Sequence, residues 1–258
     1  MPAGQQEMTR ADAPVVTHGP DSHAVDSVIR RRFANRRYAR RPVSQQMITD
    51  ILEVARFTPS GANIQPWRVY VLAGPEKDKV SQALLRAHTD ERDQHASEYA
   101  YYSPELPEPY LSRRNEFGRI FYGSLGIAQS DLAARAGQTA KNYGFFGAPV
   151  GLLLTIDRRL ATGSWLDLGM FIQTVMIAAG ARGLQTCPQE TFAKYHRPLR
   201  ELLPISAEEM VVCGISMGFA EEADTRGLMP KVAVGEFTTF VGFADATEGD
   251  PSWDTAKT

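Results

Sequence analysis

Two stretches of this chain demand a sheet that is covered on both faces. Residues 150–156 (VGLLLTI) are a continuous apolar run apart from Thr155, and 210–217 (MVVCGISM) are a second such run. A strand with one wet face alternates polar and apolar residues, whereas an unbroken run of this length needs cover above and below. Cover lies close by in sequence. Residues 166–181 (LDLGMFIQTVMIAAGA), the longest mostly apolar segment, read as a buried core helix. The segment contains Asp167 and Gln173 and falls short of the ~20 residues that a membrane-crossing helix needs, so no membrane partner is expected.

Helical and strand signals fill in around this centre. Val25, Val28, Ile29 and Phe33 share one helical stripe. Ser44 offers an N-cap for a helix whose Met47, Ile48, Ile51, Leu52 and Ala55 face one way. The segment 69–73 (VYVLA) predicts a strand, and Pro75 suits the first turn of a helix running to Leu85. Over 89–109 acidic residues, tyrosines and three prolines break the periodicity, which marks an inserted, partly irregular excursion. A long helical pattern returns over 110–140, with Phe117, Ile120, Phe121, Leu125, Ala128 and Leu132 expected to face inward. Gly183 stops the core helix; a short strand over 184–187, a helix over 192–203 and a terminal extension over 236–243 complete the reading. Helices outnumber strands and separate them, which implies an α+β sandwich with a small mixed, mainly antiparallel sheet covered by helices. The ordered domain is expected over 23–243, with a flexible N-terminal arm at 1–22 and a flexible C-terminal tail at 244–258.

Composition narrows the partners. At 258 residues, 43% hydrophobic and 22% charged, the chain is long and apolar enough for one large domain. A formal charge of -2 gives no positive field for holding a polyanion, so nucleic acid is not the expected partner. Cys187 and Cys213 are too few for a disulfide framework and lack zinc spacing, as expected of reduced thiols in a cytoplasmic protein.

Two patterns of chemical interest lose their force once their surroundings are read. Gly214-Ile-Ser216-Met-Gly218 matches a nucleophile elbow, but 219–230 is turn-like and no histidine follows His196, so Ser216 lacks a general base. His88, Glu91 and His95 share a helical face with other charges and read as solvated surface rather than a metal site. No GxGxxG or Walker sequence is present.

Two others carry chemistry. Residues 30–41 (RRRFANRRYARR) hold seven arginines. Arg30, Arg31 and Arg32 fit a solvated helix face equally well, but Arg36, Arg37 and Arg40 follow the helix, where a planar guanidinium fork can grip a phosphate. The second is Pro59-Ser-Gly-Ala-Asn-Ile-Gln-Pro-Trp67: Ser60 and Asn63 offer short polar side chains, Gly61 permits close approach, and Pro59 and Pro66 stiffen the loop.

Arg36-Arg-Tyr-Ala-Arg40, a helix, PSGANIQPW, the segment Gly183-Leu-Gln-Thr-Cys-Pro-Gln-Glu190, and MVVCGISMGF together resemble, in order and spacing, the flavin-dependent nitroreductase family over about residues 25–243. The resemblance implies an intertwined homodimer with two FMN molecules at the subunit interface. It implies that Arg36, Arg37 and Tyr38 reach the phosphate and ribityl chain and that Arg40 approaches the pyrimidine edge. Pro59, Ser60, Gly61 and Asn63 would come from the second copy, the Pro188-Gln189-Glu190 backbone would lie along the flavin, and Lys231 would stand where the family has an arginine for the phosphate. Cys187 would lie close to the flavin as a small packed residue without a redox role. Three departures stand out: Tyr38 replaces a serine, Lys231 replaces an arginine, and an expected asparagine after the last strand is absent, with Thr225 and Arg226 nearby.

The activity so implied is a ping-pong oxidoreductase: NAD(P)H, with NADPH slightly favoured by the arginine excess, reduces FMN, and a nitroaromatic is then reduced to nitroso and hydroxylamine products. Tyr102, with Phe145 and Phe146, is expected to form a mobile aromatic wall that selects substrate. The alternatives are reduction of other planar acceptors (activated alkenes, quinones, free flavin) on the same fold, or a non-enzymatic phosphate- or polyanion-binding protein using residues 30–41. A dehalogenase-like Glu/Tyr/Lys lid finds no lysine between Lys79 and Lys141.

Overall fold

A computed structural model describes residues 22–221 and 229–243. Four strands form one sheet: β1 (Trp67–Ala73), β2 (Val150–Asp157), β3 (Gln185–Gln189) and β4 (Glu209–Gly218). Their order is β1-β2-β4-β3, and all three pairings are antiparallel. The parallel element of the expected mixed sheet shrinks to one isolated bridge, Ala34 to Thr186.

The unbroken apolar run of β2 has the expected cause. Leu152, Leu154 and Ile156 point into a core with Ile48 and Ile51 of α2 (Gln45–Ala55) and Leu168, Phe171 and Val175 of α6 (Thr162–Ala181). Leu153 points the other way, into a second core with Val80 and Leu84 of α3 (Gly74–Asp90) and Leu199 of α7 (His196–Leu202). Successive side chains on a strand face opposite sides, so a fully buried strand must be apolar throughout. At 20 residues α6 is by length and composition able to cross a membrane. Here its face bearing Leu168, Phe171 and Val175 packs on the sheet, so it is the core helix expected from the sequence.

Local signals hold at several element ends. Ser44 caps α2, its Oγ accepting from Met47 N at 3.2 Å, and Pro75 sits in the first turn of α3, which runs on to Asp90. α1 (Ser22–Arg31) stops before Phe33; Val28 packs beside Gly180 of α6, while Val25 and Ile29 stay exposed.

The pattern over 110–140 is two helices, α4 (Tyr110–Ser124) and α5 (Leu132–Ala140), separated at 125–131, where Gly126 adopts φ 68°. The expected inward stripe does not form. No residue of α4 is buried and Leu132 is exposed. The aromatic rings of α4 pack on one another instead, Phe117 against Phe121 at 5.5 Å.

Residues 229–243 belong to a separate C-terminal unit, with one helical turn at Val234–Glu236 and no strand among the described residues. The tail 244–258, Thr225, Arg226 and all of the arm but Ser22 lie outside the described residues.

Candidate functional site

Beyond α1 the arginine-rich stretch first meets the outer edge of β3 and then pairs with residues 219–221 past the end of β4. Asn35 N donates to Thr186 O at 3.0 Å, and Ala39 N donates to Phe219 O at 2.9 Å. Buried Asn35 stiffens the stretch from within, its Nδ2 donating to Arg37 O at 2.7 Å. Arg36 is thereby half-buried, and Arg37 and Arg40 are exposed.

Tyr38 departs from the expected role. Its side chain is 6% exposed, and its hydroxyl lies 3.0 Å from Asn35 O and 3.1 Å from Ser216 Oγ. Burial pushes the phenol far above its ordinary range. The ring is long enough to reach across the strand ends into the core, so the phenol is a core contact rather than a phosphate ligand. Ser216, the would-be elbow nucleophile, is fully buried beneath it.

The end of β3 is the second component. Cys187 is buried, and burial raises its thiol while the Arg36 and Arg32 charges oppose the rise. Arg36 Nη1 donates to Ala34 O at 3.1 Å, and Ala34 bridges Thr186, which places this guanidinium beside β3. Pro188 is exposed, Gln189 is buried with its Nε2 donating to Asn142 O at 2.7 Å, and Glu190 is half-buried with its carboxyl pushed up by desolvation. Gln185 Oε1, Thr186 Oγ1 and Gln189 Oε1 are buried without a hydrogen-bond partner among the described residues. Buried polar atoms nearly always have partners, so the side-chain carbonyl oxygens of Gln185 and Gln189, on one face of an edge strand, fit a hydroxyl- or N–H-bearing group seated there, while Thr186 Oγ1 lies on the other face. The Arg36 guanidinium alongside supplies the donors that a phosphate needs, so the edge as a whole suits a cofactor that carries both hydroxyls and a phosphate.

The loop before β1 is strained and tightly tied. Ala62, Asn63 and Gln65 all take left-handed backbone angles, with φ 49°, 59° and 48°. Such conformations persist where surrounding bonds impose them. Ser60 Oγ accepts from Gln65 N at 3.0 Å, and Gly61 N donates to both carboxylate oxygens of buried Asp167 at 3.3 Å. The residues 61–65 are nevertheless exposed.

Within one chain the two components do not meet. The loop feeds β1 at one edge of the sheet, and the arginines line β3 at the other, with β2 and β4 between. Three inter-strand steps of about 4.8 Å put roughly 14 Å between those edges.

Of the expected aromatic wall, Tyr102 is exposed and meets Tyr101 edge-on at 4.7 Å. Phe145 is not part of it. Its ring has no exposure and packs on Phe192 at 4.8 Å, over Gly151, because only that glycine leaves room for it. Phe146 beside it is half-buried and lies 5.8 Å from the Arg36 guanidinium. The excursion is anchored at Tyr99, whose hydroxyl donates to Val212 O at 2.7 Å. His88 is not solvated as the charges around it imply: it is buried with Nδ1 2.9 Å from Tyr195 OH. Lys231 is an exposed residue of the separate C-terminal unit. Asn35 and Asp167 are structural residues of the site that the sequence reading missed; the polar Asp167 inside the longest apolar segment was the visible signal.

Comparison with known proteins identifies the family. A family model described as the nitroreductase family matches residues 29–219. The 4-nitrobenzoate reductase of Pseudomonas putida is 40% identical over 220 residues, covering 84% of this chain and 96% of that protein. The chloronitrobenzene nitroreductase of Comamonas testosteroni is 40% identical over 224 residues, covering 86% and 99%. The crystal structure of the FMN- and NADPH-dependent nitroreductase NfnB from Sphigopyxis sp. strain HMH superposes with TM-score 0.82 at 34% identity, covering 85% of this chain and 99% of that one. NfnB from Mycobacterium smegmatis, solved in complex with NADPH, gives 0.81 at 28% identity, covering 85% and 98%. With its four-stranded sheet, its arginine-lined β3 edge and these relatives, the chain belongs to the nitroreductase family.

Proposed function

We propose that this protein is an FMN-dependent oxidoreductase that uses a reduced nicotinamide dinucleotide, NADPH in preference, to reduce nitroaromatic compounds. The observation that carries the reading is the Arg36 guanidinium, held to Ala34 O where Ala34 bridges Thr186, beside a strand whose buried side-chain oxygens lack partners among the described residues. The relatives, named for reduction of nitrobenzoate and chloronitrobenzene and, among solved structures, for dependence on FMN and NADPH, supply the chemistry.

When bound, FMN supplies two-electron chemistry, accepting hydride from the nicotinamide and giving it to the acceptor. The chain supplies grip and orientation. Arg36 and Arg37 hold the phosphate, since guanidinium groups are planar, always charged and donate along their edges. Arg40 offers a fixed positive charge where the reduced ring system carries negative charge. Gln189, tied to Asn142, keeps the end of β3 rigid so that the Pro188-Gln189-Glu190 backbone lies along the ring. Pro59, Ser60, Gly61 and Asn63 complete the site from a second copy of the chain, a role that the separation of the two sheet edges supports. Cys187 fills space beside the site, and the unpaired thiols Cys187 and Cys213 fit a reducing, cytoplasmic setting.

An anaerobic visible spectrum tests the reading. A flavin spectrum that bleaches with NADPH and returns when 4-nitrobenzoate is added supports it. A colourless protein that takes up no added FMN overturns it and moves a phosphate-binding role for residues 30–41 to the front.

A further inference from the structure

α4 has no buried residue, yet it is held to the body of the chain. Two contacts are cation–π pairs: the Arg36 guanidinium carbon lies 4.6 Å from the centroid of the Phe121 ring, and that of Arg135 lies 4.6 Å from the Tyr122 ring. Arg36 meets a second ring, Phe146, at 5.8 Å. Phe146 is held there at φ 53°, ψ 23°, a left-handed conformation that a bulky side chain adopts only when its surroundings impose it. Phe145 before it is also left-handed, with its ring locked into the core over Gly151. Arg36 Nη1 donates to Ala34 O at 3.1 Å. A guanidinium carries five N–H donors in its plane, whereas aromatic rings attract its faces. Two rings close to one guanidinium carbon restrict how it can turn, and the N–H groups other than the one bonded to Ala34 are available for an anion.

We propose that Phe121 and Phe146 are positioning residues for Arg36: they hold its guanidinium by the faces, aim its free edge at the cofactor phosphate, and so couple the docking of α4 to occupancy of the phosphate site. The proposal rests on the functional reading above, in which Arg36 contacts that phosphate. Coupling between two events is reciprocal, so an anion that fixes Arg36 must also fix α4.

The test uses the full-length protein, stripped of flavin and titrated with FMN and with riboflavin, which lacks the phosphate. Phe121→Leu lies on a helix with no buried residue, so the fold should survive; Phe146→Leu is the second variant. Both should weaken FMN about three- to tenfold and leave riboflavin unchanged. Phe121→Tyr, which keeps a ring, should bind FMN as the parent does. In an Arg36→Ala background, Phe121→Leu should have no further effect on FMN. Hydrogen exchange over 110–124 should slow when FMN is added to the parent and not when it is added to Phe121→Leu. Equal weakening of FMN and riboflavin, or unchanged FMN affinity in both Leu variants, overturns the proposal while leaving the enzyme reading intact. A parent protein that binds neither flavin overturns both.

Discussion

Gly151, in the middle of the buried strand β2, reserves space for a neighbour. A Cβ built there would lie 2.3 Å from the Phe145 ring, and the ring cannot retreat because Phe192 stands behind it at 4.8 Å. Gly151→Ala should therefore destabilise the fold by about 1–3 kcal/mol, the usual cost of an overpacked core. Thermal unfolding checks it, and Phe145→Leu in the same chain should recover part of the loss. Tyr38 makes a separate prediction. Its hydroxyl is spent on Asn35 and Ser216, so Tyr38→Phe should lower stability by about 1 kcal/mol, the net worth of a typical hydrogen bond, and leave FMN affinity unaltered. A large loss of FMN would return the phenol to the site. At this scale the sequence showed which residue types were present but not which way they point. The Arg36, Arg37 and Arg40 stretch was legible because guanidinium clusters are rare and chemically specific. The inward turn of Tyr38 depended on the room left at the ends of β3 and β4, and Phe145 depended on the missing side chain at Gly151.

The 89–109 excursion illustrates the scale of the element. Its root is anchored by charge: Glu98 lies 2.9 Å from Arg158, 3.4 Å from Arg200 and 3.6 Å from His196. These contacts, mainly the hydrogen bond from Arg158, hold the Glu98 carboxyl below its ordinary value against the opposing effect of burial. Burial, with Arg200, Arg197 and Arg158 nearby, lowers His196 despite the attraction of Glu98. His88, at the end of α3 and buried near Arg92 and Lys194, is lowered as well. A base whose folded value lies below the unfolded 6.5 is protonated more readily in the unfolded chain, so its contribution is full above that value and is lost as pH falls. The carboxylate works in the same direction at lower pH, since its stabilisation is present above 4.5 and is lost below. Stability should accordingly drop first as pH falls below about 6.5 and again through the carboxylate range. His88→Gln should flatten the first drop in a series of denaturant melts; an unchanged pH profile would remove the buried histidine as its cause. Helices and strands around the core were readable because their apolar periodicity reports burial directly. α4 was not, because an aromatic stripe looks the same whether its rings pack on a sheet or on each other, as Phe117 and Phe121 do at 5.5 Å.

At the scale of the whole molecule, the two components of the proposed site lie on opposite edges of one sheet, and α6 carries an exposed apolar stripe. Leu166 is 70% exposed and Met170 is 42% exposed, one helical turn apart and beside the Asp167 that ties down the 59–65 loop. An apolar stripe on a helix whose other face is core is the form that a self-complementary dimer contact takes. If a second copy covers this stripe, it brings the neighbouring loop with it, so dimerisation and completion of the flavin site become one event. Leu166→Asp combined with Met170→Asp places two charges on the stripe and leaves Arg36, Arg37, Arg40 and β3 unchanged. Sedimentation velocity should then report a monomer, and the same sample should have lost its flavin absorbance. Loss of dimer and of flavin at the same protein concentration is the linked outcome that mass action requires. A monomer that keeps stoichiometric FMN would mean that one chain completes its own site, and the loop at Pro59, Ser60, Gly61 and Asn63 would then need another explanation for its strain.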